Sequence, residues 1–100
     1  MIKIRFNKED GFIKDFTVSG HSNYAEKGND IVCASVSSIV ITSVNLTLKF
    51  NSKAIKVLKK DGLINVKILI KDDVINEVLK NMIDMLKELS NDYKKYVKII

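Results

Sequence analysis

Proline is absent from this 100-residue sequence, and histidine and cysteine occur once each. Without proline, no X-Pro bond marks a domain boundary, and no low-complexity segment interrupts the chain. A single cysteine excludes an internal disulfide and also excludes a CxxC redox or zinc motif. The thiol is therefore expected to be free in a reducing compartment, and the protein is interpreted as cytoplasmic.

The chain also has no uninterrupted apolar run of the roughly 18 residues that a membrane span requires. Its first six residues alternate apolar and basic side chains, unlike the apolar block of a signal peptide. A chain of 100 residues with 46% hydrophobic residues suits one packed domain, which is assigned here to residues 1–100. No membrane association is expected.

Acidic side chains are outnumbered, so the formal net charge is +5, and lysine supplies nearly all of the positive charge. A basic chain of this kind is compatible with a nucleic-acid or ribosome partner. However, the lysines are scattered, and no basic block is interleaved with aromatic residues as single-strand binding favours. The scatter favours a solvated surface, so nucleic acid is not expected as a direct ligand.

Alternating apolar and polar residues predict two β-hairpins. Asp-Gly turn signals at 10–11 and 61–62 each lie between two alternating runs, over about residues 2–18 and 54–70. In the second run of the first hairpin, strict alternation places Ile13 on the same face as Asp15 and Thr17. A short apolar segment at 96–100 predicts a final strand.

Two longer runs predict helices. Residues from Ile31 to about Phe50 are apolar almost all round, and Asp30 before them can serve as an N-cap. Their many β-branched residues make a strand the competing interpretation, but strands seldom reach twenty residues. A second amphipathic stripe follows Asp72 or Asp73. The predicted fold is a two-layer α+β domain, strand-strand-helix-strand-strand-helix-strand, with one sheet packed against two helices.

The one histidine and the one cysteine lie twelve residues apart. His21 follows the second predicted strand, and Cys33 lies in the first turn of the first predicted helix. A helix N-terminus and a nearby imidazole are two common ways of favouring the nucleophilic thiolate. A loop of about ten residues can bring its ends together at modest entropic cost. Gly20 and Gly28 bracket this loop as possible hinges, and Ser37 shares the helix face of Cys33.

Each of these residues also has a plain structural interpretation. A lone cysteine in an apolar helix is usually a small core residue, and Asp30 could cap the helix or orient His21. A zinc site built from His21, Cys33 and Asp30 would lack a fourth protein ligand at a typical spacing, so neither a metal nor a cofactor is expected. Spacing alone leaves an enzyme and an inert domain equally open.

The segments Ser-Gly-His at 19–21 and Gly-Asn-Asp-Ile-Val-Cys-Ala-Ser-Val-Ser at 28–37 resemble the signature of the ribosomal-processing cysteine proteases, often called Prp. The resemblance extends to the N-terminal hairpin, the long apolar helix and the closing strand, so it covers nearly the whole chain. Ser22 and Ser35 replace alanines of the family pattern, and both are small changes.

The resemblance implies a homodimeric thiol protease of ribosome biogenesis. Such an enzyme removes a short N-terminal extension from a large-subunit ribosomal protein precursor through an acyl-enzyme. Carried over by position, Cys33 is the nucleophile and His21 the base, while Gly20, Gly28, Asp30 and Ser37 match supporting or substrate-binding positions. The alternatives to a protease are a non-catalytic ribosome- or RNA-associated binding module and a plain dimerisation domain.

Overall fold

The structure is a computed structural model that describes residues 1–26 and 28–100. Its element order confirms the predicted α+β fold, with a five-stranded sheet and two helices. The elements are β1 (Ile2–Glu9), β2 (Phe12–Ser19), α1 (Ile31–Phe50), β3 (Ile55–Lys60), β4 (Leu63–Ile68), α2 (Asp73–Asp92) and β5 (Val97–Ile99).

Both helices begin where an aspartate can accept the free amides of the first turn. The side chain of Asp30 accepts a hydrogen bond from the Cys33 amide at 2.9 Å, and Asp72 accepts one from Ile75 at 2.9 Å. Of the two caps predicted for the second helix, the structure therefore selects Asp72. Because the cap is formed by residues close in sequence, the position of Cys33 in the first turn of α1 follows from its distance to Asp30.

The strand order is β3-β4-β2-β1-β5. Each hairpin is antiparallel, β5 pairs parallel with β1, and the two hairpins join through antiparallel pairing of β2 with β4. In this register Ser19 faces Leu63, and the Gly20 amide donates to the Gly62 carbonyl at 2.8 Å. The turn between β3 and β4 is thereby held beside the end of β2, where His21 follows.

The core lies between one face of the sheet and the two helices. Ile4, Phe16 and Val66 are fully buried on this face, and they form one cluster with Val36 of α1 and Leu79 of α2. Burial of such side chains contributes roughly 1.5–3 kcal/mol each.

A β-bulge breaks the simple alternation that the sequence predicts for the first hairpin. Lys8 pairs with Ile13 directly after Asn7 pairs with Asp15, so Lys14 is left as the extra residue. Alternation placed Ile13 on the face of Asp15, but Ile13 is 1% exposed and belongs to the core.

Helix α1 is covered on one side only, although its composition predicts cover all round. Its buried residues lie along one face, while Ile31, Ile41, Leu46 and Phe50 are exposed. By length and composition α1 is apolar enough to cross a membrane. The search for an uninterrupted apolar run did not detect it, because serines and threonines interrupt the apolar residues. The core helix of a soluble protein passes the same test.

Candidate active site

One cavity of about 910 Å³ opens between the end of β2, the loop that follows it, the start of α1 and the β3–β4 turn. All six residues that the sequence singles out line it: Gly20, His21, Gly28, Asp30, Cys33 and Ser37. Residues fifteen or more positions apart therefore meet on one surface. Within the described residues 1–26 and 28–100, no group of three His, Cys, Asp or Glu side chains is placed to hold a metal ion.

Cys33 carries a free, half-buried thiol at the N-terminus of α1. The amide groups at a helix N-terminus carry partial positive charge, which stabilises an anion placed there. The Cys33 amide itself already donates to Asp30, so the backbone of Cys33 is fixed by the cap. This location combines access from the cavity with a favourable field for a thiolate.

Asp30 links the two segments that carry the histidine and the cysteine. One carboxylate oxygen accepts a hydrogen bond from the Cys33 amide, and the other accepts one from the Ser22 hydroxyl. These two bonds lower the pKa of Asp30 below its ordinary value of 3.8, and the bond from the Cys33 amide has the larger effect. Ser22 is 2% exposed and directly follows His21. The family resemblance treats Ser22 as a minor departure, yet in this chain it connects the two halves of the site.

Glycine is required at position 20 by the backbone. Its φ is +89°, and a Cβ there would collide with the carbonyl oxygen of Met1, the residue before β1. The Gly20 amide also donates to Gly62, so the residue before His21 is held from two sides. Gly28 also lines the cavity, but a Cβ there would meet no atom within 4 Å.

Gly62, which the sequence marks only as a turn residue, also contacts the site. A Cβ at Gly62 would lie 3.0 Å from Nε2 of His21 and 3.6 Å from Cε1. The imidazole therefore rests against Gly62, the residue of the turn that has no side chain. This contact depends on the pairing of β2 with β4, and no local sequence signal reveals it.

Tyr24 anchors the loop between His21 and α1. Its ring makes edge-to-face contacts with Tyr93, at 5.8 Å between centroids, and with Tyr96, at 5.1 Å. Such pairs contribute about 0.5–1.5 kcal/mol beyond the burial of their area. Tyr24 is far in sequence from Tyr93 and Tyr96, so the cluster was not predicted.

Gly62→Ala is expected to reduce turnover about tenfold, because a displacement of the imidazole by a few tenths of an ångström spoils alignment. Gly11→Ala is the matched control. Both glycines close Asp-Gly hairpins at positive φ, +70° and +81°, but a Cβ at Gly11 would meet nothing within 4 Å. Both variants are expected to lose about 1–2 kcal/mol of stability through backbone strain. Equal turnover of the two variants, measured by peptide cleavage, would contradict a role for Gly62 in placing His21.

Substitutions at Asp30 separate capping from orientation of His21. Asp30→Ala and Asp72→Ala each remove one helix cap and are expected to lower Tm, but only Asp30→Ala should also slow cleavage, since Cys33 lies in that first turn. Asp30→Asn keeps a capping side chain and should retain most activity. Activity of Asp30→Asn as low as that of Asp30→Ala would instead show that the charge acts on His21.

The same carboxylate predicts a pH dependence of stability. Because the pKa of Asp30 is lowered in the folded state, its ionised form stabilises the fold above pH 3.8. That contribution is lost as the pH falls through the lowered pKa. Thermal melts should therefore show the Tm difference between the native chain and Asp30→Asn shrinking as the pH is lowered from 5 towards 3.

The site as a whole, a free cysteine at a helix N-terminus that shares a cavity with a histidine, is of the kind that thiol hydrolases use. The family model described as cysteine protease Prp matches residues 1–98. The chain belongs to this family of cysteine proteases.

Relatives and solved structures agree with the family. The chain is 24% identical over 94 residues to a protein from Staphylococcus aureus (strain Mu50) named ribosomal processing cysteine protease Prp, covering 91% of this chain and 89% of the relative. A crystal structure of a Prp from S. aureus with a covalently linked product peptide superimposes with a TM-score of 0.94, at 25% identity, covering 99% and 97% of the two chains. A second, with a substrate peptide, has a TM-score of 0.88 at 23% identity, covers 100% and 98%, and supports the fold.

Proposed function

We propose that the chain is an endopeptidase that removes a short N-terminal extension from a large-subunit ribosomal protein precursor. The observation that carries the proposal is the meeting of His21 and Cys33 in one cavity of a chain that matches the cysteine protease Prp family over residues 1–98. The names of the S. aureus relatives supply the substrate class.

In the proposed mechanism His21 accepts the proton of the Cys33 thiol, and the thiolate attacks the scissile carbonyl carbon. A carbon–sulfur bond forms and the peptide C–N bond breaks, and the proton held by His21 passes to the departing amine. Water, deprotonated by His21, then attacks the thioester. This step releases the new carboxylate and restores the thiol.

The developing oxyanion needs hydrogen-bond donors that are not already engaged. The Cys33 amide donates to Asp30 and the Ala34 amide to the Asp30 carbonyl, so the two preceding amides of the first turn, Ile31 and Val32, are proposed as donors. Asp30 is assigned to capping, since its two oxygens accept from Cys33 and Ser22. Gly20, Gly28 and Ser37 are proposed to shape the substrate cleft.

The test is incubation of the purified chain with the N-terminally extended ribosomal protein of the same organism, followed by mass spectrometry. We expect a single clipped bond near the precursor N-terminus. An intact precursor in the presence of folded enzyme would contradict the proposal.

The domain organisation, the association of two copies and the location of the enzyme are also proposed. Residues 1–100 are proposed to act as one protease domain, because all seven elements contribute to a single core around Phe16 and Leu79. Two copies are proposed to associate, which the exposed apolar side chains of Ile41, Leu46 and Phe50 on α1 support. The free thiol of Cys33 supports a cytoplasmic location.

A further inference from the structure

The sheet face turned away from the helices carries three rows of side chains, set by the pairing register. We call these rows the basic face. Across the strands they read Lys98, Lys3, Ser19, Leu63 and Lys60; then Arg5, Thr17, Asn65 and Leu58; then Asn7, Asp15, Lys67 and Lys56. Side-chain hydrogen bonds from Asn7 to Asp15 and from Asn65 to Thr17, both 2.8 Å, confirm that these residues share one face.

The basic face holds the equivalent of the whole net charge of the protein. Six of the 17 Lys and Arg residues lie on it, with one of the 12 Asp and Glu residues, Asp15. The face is therefore +5, and the other 11 cationic residues of the chain are balanced by the other 11 acidic ones. Glu9 and Phe12, which pair past the β-bulge, form a further row at the end of the same sheet face and are not counted in the basic face. The lysines that are scattered along the sequence are gathered by the strands.

The chemistry of this face suits a polyanion that is contacted through its phosphates. Neighbouring strands lie about 4.8 Å apart, and alternate residues of one strand about 6.7 Å apart. The six cations therefore form two groups, one on β1 and β5 and one on β3 and β4, with β2 between them. All six cationic residues are exposed. Lysine and arginine neutralise nucleic-acid phosphates without reading sequence. None of the three rows contains an aromatic ring, so the stacking platforms of single-strand binding are missing.

We propose that the basic face binds the phosphate backbone of double-helical RNA, independently of sequence. The choice of RNA rests on the proposed function, because a ribosomal protein precursor is destined for a structured RNA. The cavity opens on the other side of the sheet, where Ile2, Val18 and Ile64 line it, and Lys60 and Leu63 at one end of the basic face belong to both surfaces. An RNA on the basic face therefore leaves Cys33 accessible to a peptide.

The experiment measures binding of a fluorescent RNA duplex of about 16 base pairs, the length that a small RNA-binding domain spans. Fluorescence anisotropy is recorded between about 50 and 200 mM salt for the native chain and for Lys3→Gln/Arg5→Gln/Lys67→Gln. The matched control, Lys53→Gln/Lys94→Gln/Lys95→Gln, removes the same charge from exposed positions outside the face.

We expect the variant of the face to bind at least about tenfold more weakly and its salt slope to fall by about 2–3, at roughly 0.9 per lost phosphate contact. The control should stay within about threefold of the native chain. Any of four results would overturn the proposal. These are equal losses in both variants, no binding of the native chain to the RNA duplex, tighter binding to a DNA duplex of the same sequence, and binding to phosphatidylserine vesicles but not to RNA.

Peptide cleavage, measured on the same samples, separates this inference from the proposed function. The face variant should cleave a precursor peptide like the native chain, and Cys33→Ala should bind RNA like the native chain. Cleavage without RNA binding would contradict the basic face alone. RNA binding that depends on the face, without cleavage by the native chain, would contradict the protease proposal alone.

Discussion

Cys33→Ala is expected to abolish cleavage of the ribosomal protein precursor, with a loss of at least about 10³-fold in turnover. Alanine removes the sulfur that would form the acyl-enzyme, and no other group can replace that bond. The substitution should leave the fold intact, because Cys33 is only half-buried and alanine favours helix. Mass spectrometry of the precursor measures the loss, and circular dichroism checks that α1 still forms.

Ser35→Ala is the matched control for the cysteine. Ser35 lies two residues after Cys33 in the same helix and is not among the residues that line the cavity. Its hydroxyl donates to the Ile31 carbonyl at 2.7 Å. This variant should cleave at nearly the native rate. Cleavage by Cys33→Ala at a tenth of the native rate or faster, in a preparation free of other proteases, would exclude Cys33 as the nucleophile.

His21→Ala should lower turnover by about 10²–10⁴-fold, the range that a positioned general base contributes. A second readout is independent of the precursor: alkylation of Cys33 by iodoacetamide at neutral pH should slow, because the thiolate is the reactive form. Since the His21 side chain is exposed, its removal should change Tm little.

Asn29→Ala, an exposed polar residue of the same loop, is the comparison for His21 and should leave both rates nearly unchanged. If His21→Ala slowed cleavage but not alkylation, the histidine would act on the substrate or on the leaving group rather than on the thiol. Native rates in both assays would remove His21 from the mechanism.

Local signals in the sequence suffice for the elements, and the six candidate site residues that the sequence singles out line one cavity. Helix α1 begins at Ile31 and ends at Phe50, as predicted, because capping by Asp30 and the length of the apolar run are properties of neighbouring residues. The two Asp-Gly turns likewise define the hairpins. The face predicted for Ile13 is wrong because a β-bulge adds one residue to β2, and strict alternation does not account for an extra residue.

Other features depend on contacts between residues that are distant in sequence. Tyr24 meets Tyr96, and the Gly62 turn supports the His21 imidazole, only because strands and helices from opposite halves of the chain pack together. The bond between Ser22 and Asp30 closes the loop that carries His21 onto the cap of α1. Through these contacts Tyr24, Gly62 and Ser22, for which the sequence gives no functional motif, support the site or the loop that carries His21.

The sequence by itself determined the order of the elements and the identities of the candidate nucleophile and base, since both follow from short-range periodicity, capping and a compact motif. The tertiary structure decided the strand order, and with it the position of Gly62 beside His21 and the gathering of scattered lysines on one face. The physical reason is that alternate residues of a strand share a face, whereas the neighbours of a strand are chosen by packing across the whole core.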